Sequence, residues 1–380
     1  MTHRERWMRT MHFEPVDHVP DEEFGYWENT LTLWHEQGLS KEIDTLPKAD
    51  VYFGFAPRGH IPVNQGLLPG FERQVLGKRG DRVLIRDEHG ATCEIHTSGQ
   101  DSIPHFLDFL LKGREEWERE FKPKLGPDDP RRLPEGEWWE KLKAEWKQRD
   151  YALGIGIGSL YGWIRDWMGF ERAAMMVYDN PVLLEEIMEQ ITQVMLKTIE
   201  WAAPQVDIDF GSGWEDMCFV NGPMISPKSF GELMVPRYRR ITELLKKHGC
   251  DIVYTDCDGN INALVPLWLE AGVNCMFPVE VAAGSDPIPM REKYGRGILL
   301  LGGVNKRALI AGKEAIRAEV KRIEPYVKEG GWVPHVDHRV PADVTLENYV
   351  YYLAVKRDTF GIPEPALWEE RRPAEWGPRE

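Results

Sequence analysis

This sequence lacks most of the features that assign a protein quickly. Its five cysteines (Cys93, Cys218, Cys250, Cys257 and Cys275) are odd in number and form no CxxC pair. A Cys-rich zinc module is therefore excluded, and free thiols in a reducing cytoplasm are the natural reading. The longest apolar runs, such as Ile298 to Leu301, fall far short of the ~18 residues that cross a bilayer. The first twenty residues are charged and hold no apolar h-region, so a secretory signal is not expected. No block of lysine and arginine offsets the net charge of -15, which excludes a nucleic-acid footprint. A dinucleotide fingerprint is missing too. The stretch GIGIG at Gly154–Gly158 lacks the G-x-G-x-x-G spacing and its following acid, and reads as close backbone packing beside a site.

What is present points to one large α/β domain. With 380 residues, 42% hydrophobic and 29% charged, the chain can build the core of a barrel that carries an insertion. Six β-rich runs are predicted: Ala152–Ile157, Val206–Phe210, Ile252–Asp256, Cys275–Val279, Ile298–Leu301 and Trp332–Val336. Helix-length amphipathic segments separate them. Two begin with a polar cap before proline: Asn180-Pro181, running to about Ala203, and Ser226-Pro227, running to Gly249. Such alternation means βαβ units and a parallel sheet, and this many units favour a closed (β/α)8 TIM barrel. A first strand is expected at His18–Gly25 and another near Asp50–Phe55. Residues 73–97 carry turn signals at Arg79-Gly80-Asp81 and His89-Gly90 between alternating runs, the pattern of a small antiparallel meander. Residues 112–149, charged with scattered tryptophans, read as surface helices and a connector. The expected organisation is a single domain over 1–380, with an N-terminal elaboration at about 28–150 inserted in a barrel whose main βα units span about 151–360.

Barrel enzymes carry their chemistry at the C-terminal ends of the strands. The predicted ends hold Asp209, Glu215, Asp216 and Cys218, then Asp256, Cys257 and Asp258, then Glu280, Asn305, and finally His335, Asp337 and His338. Within YTDCDGN, residues 254–260, Asp256 and Asp258 are spaced i, i+2 and share a strand face. Two adjacent carboxylates repel unless a cation lies between them or one takes a proton. An acidic turn, an acid/base pair and half of a metal site are all open readings. Asp256, Asp258, Glu280 and His338 come from three strand ends. Their oxygen and nitrogen donors suit Zn²⁺, Mn²⁺ or Fe²⁺.

Several long segments resemble the uroporphyrinogen decarboxylase-like superfamily: MTHRERWMRTMHFEPVDHVP, GPMISPKSFGELMVPRYRRITELLKKHG, DGNINALVPLWLEAGV, LLGGVNKRALIAGK and VPADVTLENY. The resemblance covers nearly the whole chain. It is nearer to the zinc-dependent corrinoid methyltransferases than to the decarboxylase itself, whose Arg-Gln-Ala-Gly-Arg signature is replaced here by the acidic DEEFGYWENTLTLWHEQG. An anionic porphyrinogen would be repelled there. Set against the His-x-Cys-Gly zinc motif of those methyltransferases, the chain has Asp256 and Asp258 at the ligand positions. Glu280 stands at the next-strand acid and His338 at the late cysteine, with Asp337 as the alternative.

The resemblance implies a metal-dependent methyltransferase with a harder, more Lewis-acidic ion than a thiolate-bound zinc. It would move a methyl group from a small methoxylated or N-methylated substrate to a corrinoid protein. Glu215 and Asp216 would transfer protons or orient the substrate. Trp27, Trp163 and Trp214, with Asn305, would bind it, the tryptophans serving also as cation–π partners. A homodimer is carried over from the family, and neither a membrane nor a nucleic acid is an expected partner. Two other readings stand beside it. One is a decarboxylase or lyase acting on a small carboxylate with an Asp acid/base, and the other is a non-catalytic ligand-binding barrel with a degenerate site.

Overall fold

The computed structural model describes residues 1–96 and 104–365. Thr97, the last residue of the expected meander, lies outside them. The strands, in chain order, are β1 (Arg58–His60), β2 (Gln74–Arg79), β3 (Arg82–Arg86), β4 (Ala91–His96), β5 (His105–Phe109), β6 (Ala152–Gly158), β7 (Phe210–Trp214), β8 (Cys218–Phe219), β9 (Gly222–Pro223), β10 (Val253–Asp256), β11 (Cys275–Val279), β12 (Leu299–Val304) and β13 (Trp332–Val336). The main ladder runs β1-β6-β7-β10-β11-β12-β13. The pairs β1·β6, β6·β7, β7·β10, β10·β11 and β12·β13 are all parallel. This is the βα succession of a TIM-barrel-type α/β fold, with seven strands in the ladder.

Two compact units make up the chain. One is contiguous, Arg58–Phe277; the other joins Met1–Pro57 to Pro278–Glu380. The contiguous unit contains β1, β6, β7, β10 and most of β11. It also contains the antiparallel sheet β2-β3-β4-β5, which forms the meander expected from its turns. Its long helix Pro181–Ala202 starts as the capped proline predicts, with Asn180 Oδ1 accepting from Leu183 N at 3.2 Å. The helix buries Leu184, Ile187, Ile191 and Val194. The next segment was expected as one helix and is two, Pro227–Leu233 and Val235–Lys247. Pro236 supplies the reason, since its ring cannot accommodate the preceding turn.

Three other expectations are corrected. The run Val206–Phe210 is not the strand; β7 begins at Phe210, and its Gly211 and Gly213 disguised it as a loop. Near Asp50–Phe55 lies a helix, Leu46–Phe53, ended by Gly54 at φ 79°. His18–Gly25 forms no strand, because its polar groups are engaged one at a time. Asp21 O accepts from Ala56 N at 2.8 Å, Gly25 O accepts from Val340 N at 2.9 Å, and Pro20 has no donor. Only Tyr26 makes a bridge, to Val340. The segment at 112–149 is also less superficial than its charge suggests: Trp117, Phe121 and Leu125 are completely buried.

Carboxylates in the N-terminal segment account for the second unit's most buried ion pairs. Lys356 Nζ lies 2.9 Å from Asp21 and 2.7 Å from Glu23, and Arg357 Nε lies 2.8 Å from Asp21. Tyr352 OH donates to Glu23 at 2.8 Å.

Candidate active site

The alternation of β-strands decides which side chains share a face. Across β7, Gly211 and Gly213 lie against Ile157 and Leu245 on the helix-covered side, where an added Cβ would meet those side chains at 2.8–3.1 Å. Phe210, Ser212 and Trp214 must therefore occupy the opposite face. Parallel register carries that face to Tyr254 and Asp256 on β10, and to Cys275 and Phe277 on β11. On β1, Arg58 and His60 belong to it too. His60 meets Phe210 edge-on at 5.3 Å, Phe210 stacks on Tyr254 at 5.6 Å, and Tyr254 meets Phe277 at 5.3 Å. The GIGIG strand completes the surface by omission. A Cβ on Gly154 would sit 2.2 Å from the Phe210 ring, so only glycine lets that ring lie over β6. The helix-covered face is packed with buried Leu153, Ile155, Ile157 and Val253. His60 by contrast is exposed, and Arg58, Ser212, Trp214 and Asp256 are half-buried.

At the C-terminal end of β7 the two expected catalytic acids have different environments. Glu215 is completely buried. Its Oε1 accepts from Leu160 N at 2.7 Å and from the Tyr238 hydroxyl; its Oε2 accepts from Tyr161 N and Gly162 N, both at 2.9 Å, and from Ser159 Oγ at 3.3 Å. Burial pushes its pKa up, opposed by these donors. As placed, Glu215 fixes the loop after β6 and presents no surface to a substrate; it is a positioning residue. Asp216 adopts φ 41°, strained for a residue with a side chain. Its backbone N, like that of Glu215, donates to Asp256 O, which ties the ends of β7 and β10 together. Arg165 bonds the Asp216 carbonyl and lies 3.3 Å from its carboxylate, and the same guanidinium sits 5.1 Å over the Trp214 ring. Arg165 also reaches Asp166 at 3.4 Å, a carboxyl whose pKa burial raises. Beside Asp216 opens a cleft of about 910 Å³, lined by Phe106–Phe109, by Arg165 and Asp166, and by Met168, Phe170 and Met175. Trp163 lies on the helix Gly162–Met168 with Arg165, its ring 6.2 Å from that of Trp167.

Within YTDCDGN, Asp256 points to the aromatic face, while Cys257 turns away and accepts from Met217 N at 3.4 Å. Asp258 follows in the loop, and Gly259, at φ 84°, allows the Cys218 carbonyl to approach where a Cβ would stand 2.6 Å away. Asp209 is not at the rim: it precedes β7 and pairs with Arg149 at 3.0 Å and with Leu153 N at 2.9 Å.

The remaining expected residues belong to the other unit. Glu280 is paired with Lys306 at 2.6 Å. Asn305 caps the helix Lys306–Ala311, accepting from Arg307 N at 3.0 Å. Asp337 is buried and accepts from Lys306 N at 2.9 Å and Ala282 N at 3.0 Å; burial pushes its pKa up to about 6. His338 and Trp27, expected in different roles, are brought together as a stacked pair 5.5 Å apart. Among the described residues, no group of three or more His, Cys, Asp or Glu side chains is arranged to hold a metal ion. Asp256 and Asp258 supply two oxygen donors, fewer than a complete ligand set.

Arg58, His60, Phe210, Ser212 and Tyr254 were missed by the sequence reading. Period-2 alternation in RGH and in the glycine-spaced FGSGW was the signal that could have found them.

Comparison with known proteins agrees with this fold. A solved methyltransferase from Methanosarcina mazei superposes with a TM-score of 0.59 at 16% identity, covering 94% of this chain and 98% of that one. A B12-independent methionine synthase from Shewanella aligns over 60% of this chain and 67% of its own at 11% identity, with a TM-score of 0.39. A curated uroporphyrinogen decarboxylase from Pseudomonas fluorescens is 27% identical over 198 residues, which are 47% of this chain and 49% of that protein. The matched region thus spans about half the length of that relative. The family model for uroporphyrinogen decarboxylase (URO-D) matches residues 163–357, just over half of the sequence. The chain belongs to the uroporphyrinogen decarboxylase (URO-D) family.

Proposed function

We propose that this protein is an enzyme that moves a methyl group from a small methoxylated or N-methylated substrate to a corrinoid protein. The observation that carries the reading is the aromatic face of the contiguous unit, which ends in carboxylates at its C-terminal rim. Phe210, Tyr254 and Phe277 form a buried cluster of rings, and the half-buried Trp214, Asp216 and Asp256 stand at its C-terminal edge. Breaking an O–CH3 or N–CH3 bond leaves an oxygen or nitrogen that must take up a proton. Asp216 and Asp166, held by one guanidinium, are the acids assigned to that transfer. A tetrapyrrole with several carboxylates fits poorly. The segment 21–36 contains no arginine, and the cations Lys356 and Arg357 already serve Asp21 and Glu23.

The test is methyl transfer to reduced free cobalamin from a panel of methoxybenzoates and methylamines, followed as formation of methylcobalamin by absorbance. Turnover on one panel member that depends on Asp216 is expected; no transfer from any of them defeats the reading. Divalent-metal binding at Asp256 and Asp258 is part of the same proposal, and elemental analysis of the purified protein tests it.

A second reading is favoured by Arg58 and His60, cationic or cation-capable groups on the same face. It is decarboxylation of a small carboxylate with Asp258 or Asp216 as acid/base. Release of carbon dioxide without methylcobalamin would select it.

A further inference from the structure

The cleft of about 910 Å³ beside Asp216 combines reachable apolar walls with a surplus of carboxylates. Phe106, Leu107, Phe170 and Met175 line it and are 41%, 49%, 42% and 51% exposed, so a ligand meets them without displacing any core side chain. Phe106 and Phe109 stack at 5.7 Å on β5. Gly169, at φ 82°, separates the helices Gly162–Met168 and Phe170–Asp179. A Cβ there would stand 2.5 Å from the Phe109 ring, so glycine is what lets β5 approach the two helices and form the cleft with them. Five carboxylates share the lining, Asp108, Asp166, Glu171, Asp179 and Asp216, against two guanidiniums. Arg165 is occupied by the Asp216 carbonyl and by the carboxylates of Asp216 and Asp166 at 3.3 and 3.4 Å. Arg172 donates to the carbonyls of Met168 and Leu111 at 3.1 and 3.3 Å. Asp108 pairs with Lys112 at 3.0 Å, while Glu171 and Asp179 stand exposed with no ion-pair partner among the described residues.

We propose that this cleft is the substrate site and that it takes an N-methylated ammonium with an apolar body. The inference deepens the function proposed above and rests on it for its chemistry: Asp166 and Asp216, the acids assigned there, both line the cleft. Its volume is that of a small-molecule site, roughly 300–1,000 Å³. An entering carboxylate would meet a surplus of its own charge. A methylated ammonium carries its positive charge under an apolar skin, which suits ring faces with carboxylates nearby. Arg165 already covers the Trp214 ring at 5.1 Å, so the open rings are those of phenylalanine. These rings attract a cation less than tryptophan does. The carboxylates therefore select the charge, and the rings favour an alkylated cation over a strongly hydrated one.

Calorimetric titration of the whole protein with choline and with 3,3-dimethylbutan-1-ol tests this, because the alcohol has the same shape with carbon in place of the charged nitrogen. With no corrinoid present, neither ligand reacts. Choline is expected to bind at least about tenfold more tightly than the alcohol. Asp216→Asn keeps a side chain that tolerates positive φ and should lose most of that preference. Phe170→Leu, at an exposed position, should weaken choline about threefold. An unchanged urea midpoint is the control for folding in both. Equal binding of the two ligands, no binding of either, tighter binding of benzoate than of choline, or a preference that both variants retain in full overturns the proposal. Ammonium chloride displacing choline at equal concentration overturns its apolar half. Failure of the two claims can be told apart. A choline preference without methylcobalamin from any methylamine leaves the cation site standing and removes methyl transfer; methylcobalamin from methoxybenzoates alone, without a choline preference, does the reverse.

Discussion

Glu215→Gln is the most informative substitution at the rim, because it changes almost nothing in shape. The carboxylate accepts five hydrogen bonds, three on Oε2 and two on Oε1. A glutamine oriented with its oxygen at the Oε2 position keeps the contacts to Ser159, Tyr161 and Gly162. Its amide nitrogen then faces Leu160 N–H, donor against donor. The Tyr238 hydroxyl can rotate to accept; the backbone N–H cannot. One buried, unsatisfied N–H costs about 1–3 kcal/mol, and the retained bonds lose their charge assistance, so about 2–4 kcal/mol of stability should disappear. Urea unfolding followed by tryptophan fluorescence measures this as a lower midpoint at unchanged slope. If Glu215 instead acted on substrate, the variant would fold as stably as the parent and lose only turnover. A midpoint change worth less than about 0.5 kcal/mol would therefore refute its role as the clasp of the loop after β6.

Other outcomes follow from the same geometry. Lys356→Met leaves the carboxylates of Asp21 and Glu23 buried without their ammonium and should cost about 3–5 kcal/mol in the same assay; an unchanged midpoint would mean that Arg357 alone suffices. Asp337 has a pKa of about 6 when folded against 3.8 as a free side chain, so the native state holds its proton more tightly. Its favourable contribution is full below the unfolded value and is lost as pH rises through 6. Unfolding free energy should fall by about 1 kcal/mol between about pH 5 and pH 8 from this group, and the Asp337→Asn variant should lack that slope. Gly154→Val places a side chain where the Phe210 ring lies, 2.2 Å from the ideal Cβ, and about 1–3 kcal/mol of overpacking strain should appear as a lower midpoint in the unfolding curve. Asp258→Asn should lower the divalent-metal content found by elemental analysis, and an unchanged content takes Asp258 out of any ligand set.

The βα rhythm was legible because it is written in local signals. Cys275–Val279 and Trp332–Val336 were read to the residue, since each is a short apolar run between turn signals, and Asn180-Pro181 announced its helix by capping chemistry. What misled was composition standing in for geometry. Gly211 and Gly213 made β7 look like a loop, although they are the residues that let Ile157 and Leu245 press against the strand. The acids of the DEEF segment read as a source of repulsion for an anionic ligand; their partners, Lys356 and Arg357, lie more than 300 positions later and leave no trace nearby. At the site, the sequence brought Asp216 and Asp256 to a strand end, where they are. It could not reveal that Glu215, one residue earlier, turns inward, because that depends on five donors from two other segments. Arg58 and His60 escaped because β1 is only three residues long.

The division of the chain also has a consequence for synthesis. Arg58–Phe277 is a continuous stretch and can collapse as soon as it leaves the ribosome, with mostly nearby partners. Met1–Pro57 precedes it in the chain yet must wait, because the lysine and arginine that neutralise Asp21 and Glu23 lie more than 300 residues further on. Until then the buried Trp7 and Met11 of the charged helix His3–Met11, and the ring of Trp34, remain uncovered by their final neighbours. Met1–Pro57 is thus the part that most needs a chaperone's shelter during synthesis. Truncation of the helix Leu346–Phe360 should be felt there before anywhere else.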